Sequence, residues 1–130
     1  MDTAVNFKNR TMPEVWQHHG QALATRDIDA FVKDFADDCL FVNNPQGGHA
    51  SGTYRGPEGV AQWCEAFFQL FEDISDFSPA ENFTIDNTFV VLWEIHSETY
   101  DVTGGVDTFV VEDGQFKIVT VVYYATPKMP

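Results

Sequence analysis

Asp107 and His19 are the side chains of this sequence whose type and position could move a proton. Asp107 sits in Val106–Val111 (VDTFVV), a run whose other members are apolar or Thr. The two-residue period of a strand puts Asp107, Phe109 and Val111 on one face and Val106, Thr108 and Val110 on the other, so the acid shares its face with a large aromatic ring. Taking a carboxylate out of water is costly unless a partner or a proton compensates. His19 falls on the apolar stripe of an N-terminal helix, and imidazole is the side chain that exchanges a proton near neutrality. Two readings share this arrangement: a buried helix-to-sheet pair that only holds structure, or a pair that lines a pocket and touches a ligand. The second would support isomerisation, dehydration or aldol-type cyclisation beside a carbonyl, with one group moving a proton while an enolate is stabilised.

Large flat side chains occupy the same inward positions. Trp16, Trp63, Trp93 and Tyr123, with Phe67, Phe109 and Val121, suit either a packed core or the wall of a cavity for a ring system. Asn44 precedes Pro45, which is ordinary turn chemistry, and its amide could also orient a ligand carbonyl or a water. No HxH, HxxxH or HExxH spacing points to a metal, and His18 and His19 diverge by about 100° on a helix. The Gly47-Gly48 loop lacks the lysine and hydroxyl of a phosphate cradle, so no cofactor is expected. No GxSxG elbow or Cys–His signature supports a covalent hydrolase. His18, His49 and His96 are expected at solvent or at an interface.

Composition narrows the function classes further. The chain has 130 residues, 15% of them aromatic, enough for one core, so residues 1–130 read as a single domain with its core at about 12–126. A formal charge of −13 repels phosphate backbones and anionic lipid, which argues against nucleic acid and membrane as partners. No apolar run reaches the roughly 18–20 residues of a membrane span, and the first residues lack the apolar stretch of a secretion signal, so a soluble cytoplasmic protein is expected. Cys39 and Cys64 are the only cysteines and have no CxxC spacing, so both are read as free buried thiols.

The elements that must position the pair follow from periodicity. Pro13 opens a helix with Met12, Val15, Trp16, His19, Ala22 and Leu23 on one side. Asp27 caps a short second helix carrying Ile28, Phe31, Val32 and Phe35 and ending near Asp37-Asp38. A strand at Cys39–Asn43 and a turn through Asn44–His49 lead to a third helix opened by Gly56-Pro57-Glu58, with Val60, Trp63, Cys64, Phe67 and Phe71 inward. Extended segments then read at Ser78–Ile85, Phe89–Tyr100, Val106–Glu112 and Phe116–Ala125, with turns at Asp86-Asn87, Thr103-Gly104-Gly105 and Asp113-Gly114. Helices gathered first and strands last make an α+β fold with helices covering one sheet face. The other face is also apolar in the last strand, where Val122 and Tyr124 join Val110, and this predicts a homodimer through the outer sheet face.

With these pieces in order, the chain resembles the nuclear transport factor 2-like superfamily, in its SnoaL-like and ketosteroid-isomerase-like branch. The resemblance rests on Arg26-Asp27-Ile28-Asp29 before Phe35-Ala36-Asp37-Asp38, then Asn44-Pro45, Gly56-Pro57-Glu58-Gly59-Val60, Asp107-Thr108-Phe109 and the terminal sheet, from about Val15 to Ala125. It implies a cone-shaped roll: three N-terminal helices on a curved, mainly antiparallel sheet enclosing a deep, mostly apolar pocket. By that resemblance Asp107 takes the place of the protonated acid of the isomerase oxyanion hole and His19 that of its tyrosine donor. Asn44 falls where the isomerases carry their aspartate base, and an amide cannot return a proton near neutrality. SnoaL-type polyketide cyclases look closer, since their proposed acid/base aspartate lies on the strand corresponding to that of Asp107. The implied protein is a cofactor-independent isomerase, cyclase or dehydratase for a small, largely apolar molecule. A non-catalytic ligand-binding or dimeric assembly module is the alternative, because members of this fold include both.

Overall fold

The computed structural model describes residues 6–46 and 51–128, without the side chains of 45, 46 and 74–80. Helix α1 (Met12–Thr25) starts where Thr11 and Glu14 close a capping box: the Thr11 hydroxyl accepts from the Glu14 backbone N–H and the Glu14 carboxylate accepts from that of Thr11. Arg26, with φ 54°, ends it in a left-handed turn. Asp27 then caps α2 (Ile28–Val32) by accepting from the Ala30 N–H at 3.0 Å.

Helix α2 is shorter than the spacing of its apolar residues predicts. Phe35 begins strand β1 (Phe35–Gln46) instead of closing a helix, and the acidic pair Asp37-Asp38 falls in the bulge between Phe35 and Leu40. The turn expected from Asn44 is strand as far as Gln46, because the last residues of β1 pair with β6; Pro45 needs no ladder donor of its own there. His49 lies outside the described residues. Strand β2 (Gly52–Arg55), unanticipated in so polar a stretch, pairs antiparallel with β1 and hands over to α3 (Gly56–Leu70).

Strands β3 (Ile74–Ile85), β4 (Thr88–Ser97), β5 (Tyr100–Glu112) and β6 (Gln115–Pro127) complete a six-stranded open sheet in the order β2-β1-β6-β5-β4-β3. Every pairing is antiparallel except that of β1 with β6. Two of the expected turns stand: Asp86 and Asp113 adopt positive φ of 52° each. The third does not. Thr103-Gly104-Gly105 is a bulge inside β5, and the chain reverses at Glu98-Thr99 instead. Gly105 is required there because a Cβ on it would stand 2.2 Å from the Trp93 indole on β4.

Helices and sheet meet over an aromatic core. On β4 burial alternates without a break from Phe89 to Ser97, and on β6 Val119, Val121 and Tyr123 point to the helices while Val122 and Tyr124 stay exposed. Across the sheet, Asn43, Val121, Asp107 and Val91 lie in one row, and Phe41, Val119, Phe109 and Phe89 in the next. Cys39 and Cys64 are buried free thiols, and burial raises both above the ordinary thiol pKa.

Candidate functional site

One side of α1 faces the sheet across a cavity of about 410 Å³. The helix contributes Trp16, His19 and Leu23, every third or fourth residue, so that they stack along one stripe, and Arg26 joins them from the turn that ends it. Phe67 and Phe68 close it from α3, and the floor is Val91 and Trp93 of β4 with Asp107 and Phe109 of β5. An adjoining recess of about 30 Å³ shares His19, Trp93 and Asp107 and is walled by Trp63, Phe67 and Val121. His19 and Asp107 thus line the same space.

His19 is held on two sides. The rings of Phe31, Phe109 and Phe116 stand 4.8–5.2 Å from its own, and Trp16 lies at 5.6 Å. Its Nδ1 stands 3.7 Å from Oδ2 of Asp34, beyond hydrogen-bond length but within ion-pair reach. Asp34, in the turn between α2 and β1, is fully buried. Arg10 donates to it at 2.9 Å, and His18 Nδ1 lies 2.8 Å from the same oxygen and must be the donor to an ionised carboxylate. Burial alone would raise the Asp34 carboxyl, but the contacts with His19, His18 and Arg10 outweigh it and hold the pKa below the usual carboxylate value. Arg10 is anchored in turn by donating to the Gly114 carbonyl at 3.0 Å, tying the N-terminal arm to the β5–β6 turn.

Asp107 has the opposite surroundings. Among the described residues, its one hydrogen bond from a side chain comes from the Trp93 indole N–H, at 2.7 Å to Oδ1. Desolvation by the apolar floor outweighs that bond and pushes the carboxyl up to about 7. What surface Asp107 keeps is on the cavity wall. One step along the sheet, Tyr123 is buried beside Asn43, and burial pushes its phenol up to about 12.

The structure therefore redraws several sequence expectations. His19 and Asp107 share a cavity but each has its own partner, Asp34 and Trp93, so they are not a salt bridge to one another. Among the expected ligand-contacting residues Trp16, Phe67, Trp93 and Phe109 line the main cavity and Trp63 and Val121 the recess, while Tyr123 lines neither. Asn44 is exposed: the strand period turns it to the outer face, and the buried amide is its neighbour Asn43. His18 is not simply solvated, since its ring is held by Asp34 and packs edge-on against Phe7. His96 lies at the surface as expected, between Glu94 and Asp101. Asp34 escaped the sequence reading because it lay inside the expected helix; the available signal was a single acid between Val32 and Phe35, both apolar. Among the described residues, no group of three or more metal-ligating side chains converges.

Comparison with known proteins agrees with this architecture. The family model described as the SnoaL-like domain matches residues 16–120, and the chain belongs to that family. No curated protein matches it. Among solved structures it is similar to an NTF-2 like protein of unknown function from Burkholderia xenovorans, with a TM-score of 0.68 and 15% identity over 91% of this chain and 86% of that one. It is also similar to a protein with a ketosteroid isomerase-like fold from Catenulispora acidiphila, in complex with trimethylamine (TM-score 0.67, 14% identity, 88% of each chain). A third is TerC, co-crystallised with polyporic acid (TM-score 0.67, 18% identity, 85% of this chain and 89% of that one). At such identities the likeness carries the fold and no more. No helix among the described residues is long and apolar enough to cross a membrane.

Proposed function

We propose that this SnoaL-like domain is a cofactor-independent enzyme that moves a proton beside a carbonyl of a small, largely apolar substrate, as an isomerase, cyclase or dehydratase. The observation that carries the reading is that His19 and Asp107 line one cavity, each beside its own partner, the Asp34 carboxylate and the Trp93 indole N–H. With Nδ1 toward the Asp34 carboxylate, His19 keeps its Nε2 lone pair for the substrate, and Asp34 stabilises the imidazolium formed when Nε2 takes a proton. Asp107, with a pKa near 7, is substantially protonated at neutral pH. Trp93 occupies Oδ1, so Oδ2–H is the donor available to the enolate oxygen. His19 then returns its proton to the product carbon or to a leaving hydroxyl.

The test is α-proton exchange. A two-ring ketone such as 2-tetralone, incubated with the protein in D₂O, should exchange its α-protons faster than in buffer, and His19→Gln should remove most of that gain, of order 10²–10⁴-fold for general acid–base catalysis. A ketone that binds, by quenching of tryptophan fluorescence, but shows no added exchange would overturn the catalytic reading. That outcome would favour the second one, a non-catalytic ligand carrier, which the apolar share of the cavity wall supports. TerC, a fold neighbour, was co-crystallised with polyporic acid, which supports a small-molecule role over pure assembly.

A homodimer through the outer sheet face belongs to the same proposal. Val106, Ile118, Val122 and Tyr124 are exposed there at 36–55%, a connected apolar patch on β5 and β6, with half-buried Val110 beside it. Val122→Glu should convert a dimer to a monomer in sedimentation at micromolar concentration, and a wild type already monomeric would refute it.

A further inference from the structure

We infer that the substrate of this site carries an anionic group, a carboxylate, at the end of its ring system remote from the reacting carbonyl, and that Arg26 receives it; this rests on the acid/base reading above and names its substrate class. Arg26 is the one arginine or lysine among the described residues that line the cavity. It caps the end of α1 seven residues after His19, so their backbone positions lie roughly 10 Å apart along the helix axis, and both side chains line the cavity. A ligand that reaches both would carry its carbonyl and its acid at opposite ends. The guanidinium is fixed in place: one nitrogen donates to the Phe71 carbonyl at 3.0 Å, another to that of Glu72 at 3.4 Å, and the group sits over the Phe68 ring at 5.8 Å.

These partners leave its charge uncompensated. Arg10, Lys117 and Lys128 each meet a carboxylate, on Asp34, Asp38 and Asp101, whereas among the described residues no carboxylate lies within ion-pair distance of Arg26; the same is true of Lys8, Lys33 and Arg55, but none of those lines the cavity. Carbonyl oxygens use two of its five N–H donors and leave others for a ligand. In a chain with 20 acidic and 7 basic side chains, the surrounding field repels an anion, so a positive group at the cavity rim is what would let an acid-bearing ligand enter. The apolar stretch between His19 and Arg26, formed by Leu23, Phe67 and Phe68, then fits the ring body.

A purely structural Arg26, bracing the end of α1 against the end of α3, would show the same hydrogen bonds, so the experiment must separate bracing from recognition. Calorimetry with 6-acetyl-2-naphthoate and its neutral amide, 6-acetyl-2-naphthamide, does so. The wild type should bind the carboxylate about ten-fold more tightly, Arg26→Gln should lose that preference while keeping its affinity for the amide, and Arg26→Lys should keep part of it. Equal binding of the two compounds by the wild type, or an equal loss of both in Arg26→Gln, would overturn the assignment of Arg26 while leaving the cavity as a binding site. Failure of both compounds to bind the wild type would overturn the small-molecule reading and this inference with it.

Discussion

Asp34 and Asp107 are both carboxylates withdrawn from bulk water in one core, and their surroundings send their protons opposite ways. Asp34 lies among cationic and donor groups, Arg10, His18 and His19, and stays ionised below the usual range. Asp107 lies on an apolar sheet face with one indole N–H, and its pKa rises to about 7. Burial raises both, so the opposite sign comes from the partners that face Asp34. In the proposed reaction, such a pairing would divide acid and base roles between two residues of one chemical type, the ionised carboxylate orienting a base and the protonated one donating.

The largest effect should come from breaking the charged side of the pair. Asp34→Ala strands Arg10, whose side chain is only 5% exposed, as a buried unpaired cation, and is expected to cost about 3–5 kcal/mol in urea unfolding. A cost below about 1 kcal/mol would mean that Arg10 is solvated once freed. The pH dependence has its own sign. Asp34 titrates lower in the folded chain than in the unfolded one, at 3.8, so its stabilisation is present above that value and is lost as pH falls below it.

Asp107 titrates higher when folded, at about 7 against 3.8 unfolded, so the folded state loses stability as pH rises from about 4 to about 7. Asp107→Asn removes that cost: relative to the wild type it should melt higher at pH 8 than at pH 5, while α-proton exchange falls by about a hundred-fold or more. A melting temperature lowered at both pH values, with exchange unaffected, would make Asp107 a structural residue. The smallest shift sharpens the contrast between the two acids. Trp93→Phe deletes the indole N–H that favours the Asp107 carboxylate, and should raise its midpoint by about one pH unit in a carboxyl-carbon NMR titration. Gly105→Ala, which pushes on the same indole, should move it in the same direction with a loss of stability.

Much of this molecule can be read from its sequence because burial on a helix or strand leaves a periodic trace. The stripe Val15–His19–Ala22, the alternation on β4 and β6 and the inward place of Asp107 are visible as spacing, and the helices and strands they mark are present. The two-residue period of Cys39, Phe41 and Asn43 already turns Asn44 outward, and it is the resemblance to the isomerases, not the spacing, that places Asn44 in the pocket. Local periodicity cannot show that Asp34, in a two-residue turn, meets a guanidinium from 24 positions earlier, or that Gly105 makes room for Trp93 instead of turning the chain. The sequence by itself determined the three helices, most of the strands and the inward faces that carry His19 and Asp107, since these follow from interactions within a few residues. Only the tertiary structure decided the partners, and with them each proton's affinity, because desolvation and charge act through space on groups that the chain keeps far apart.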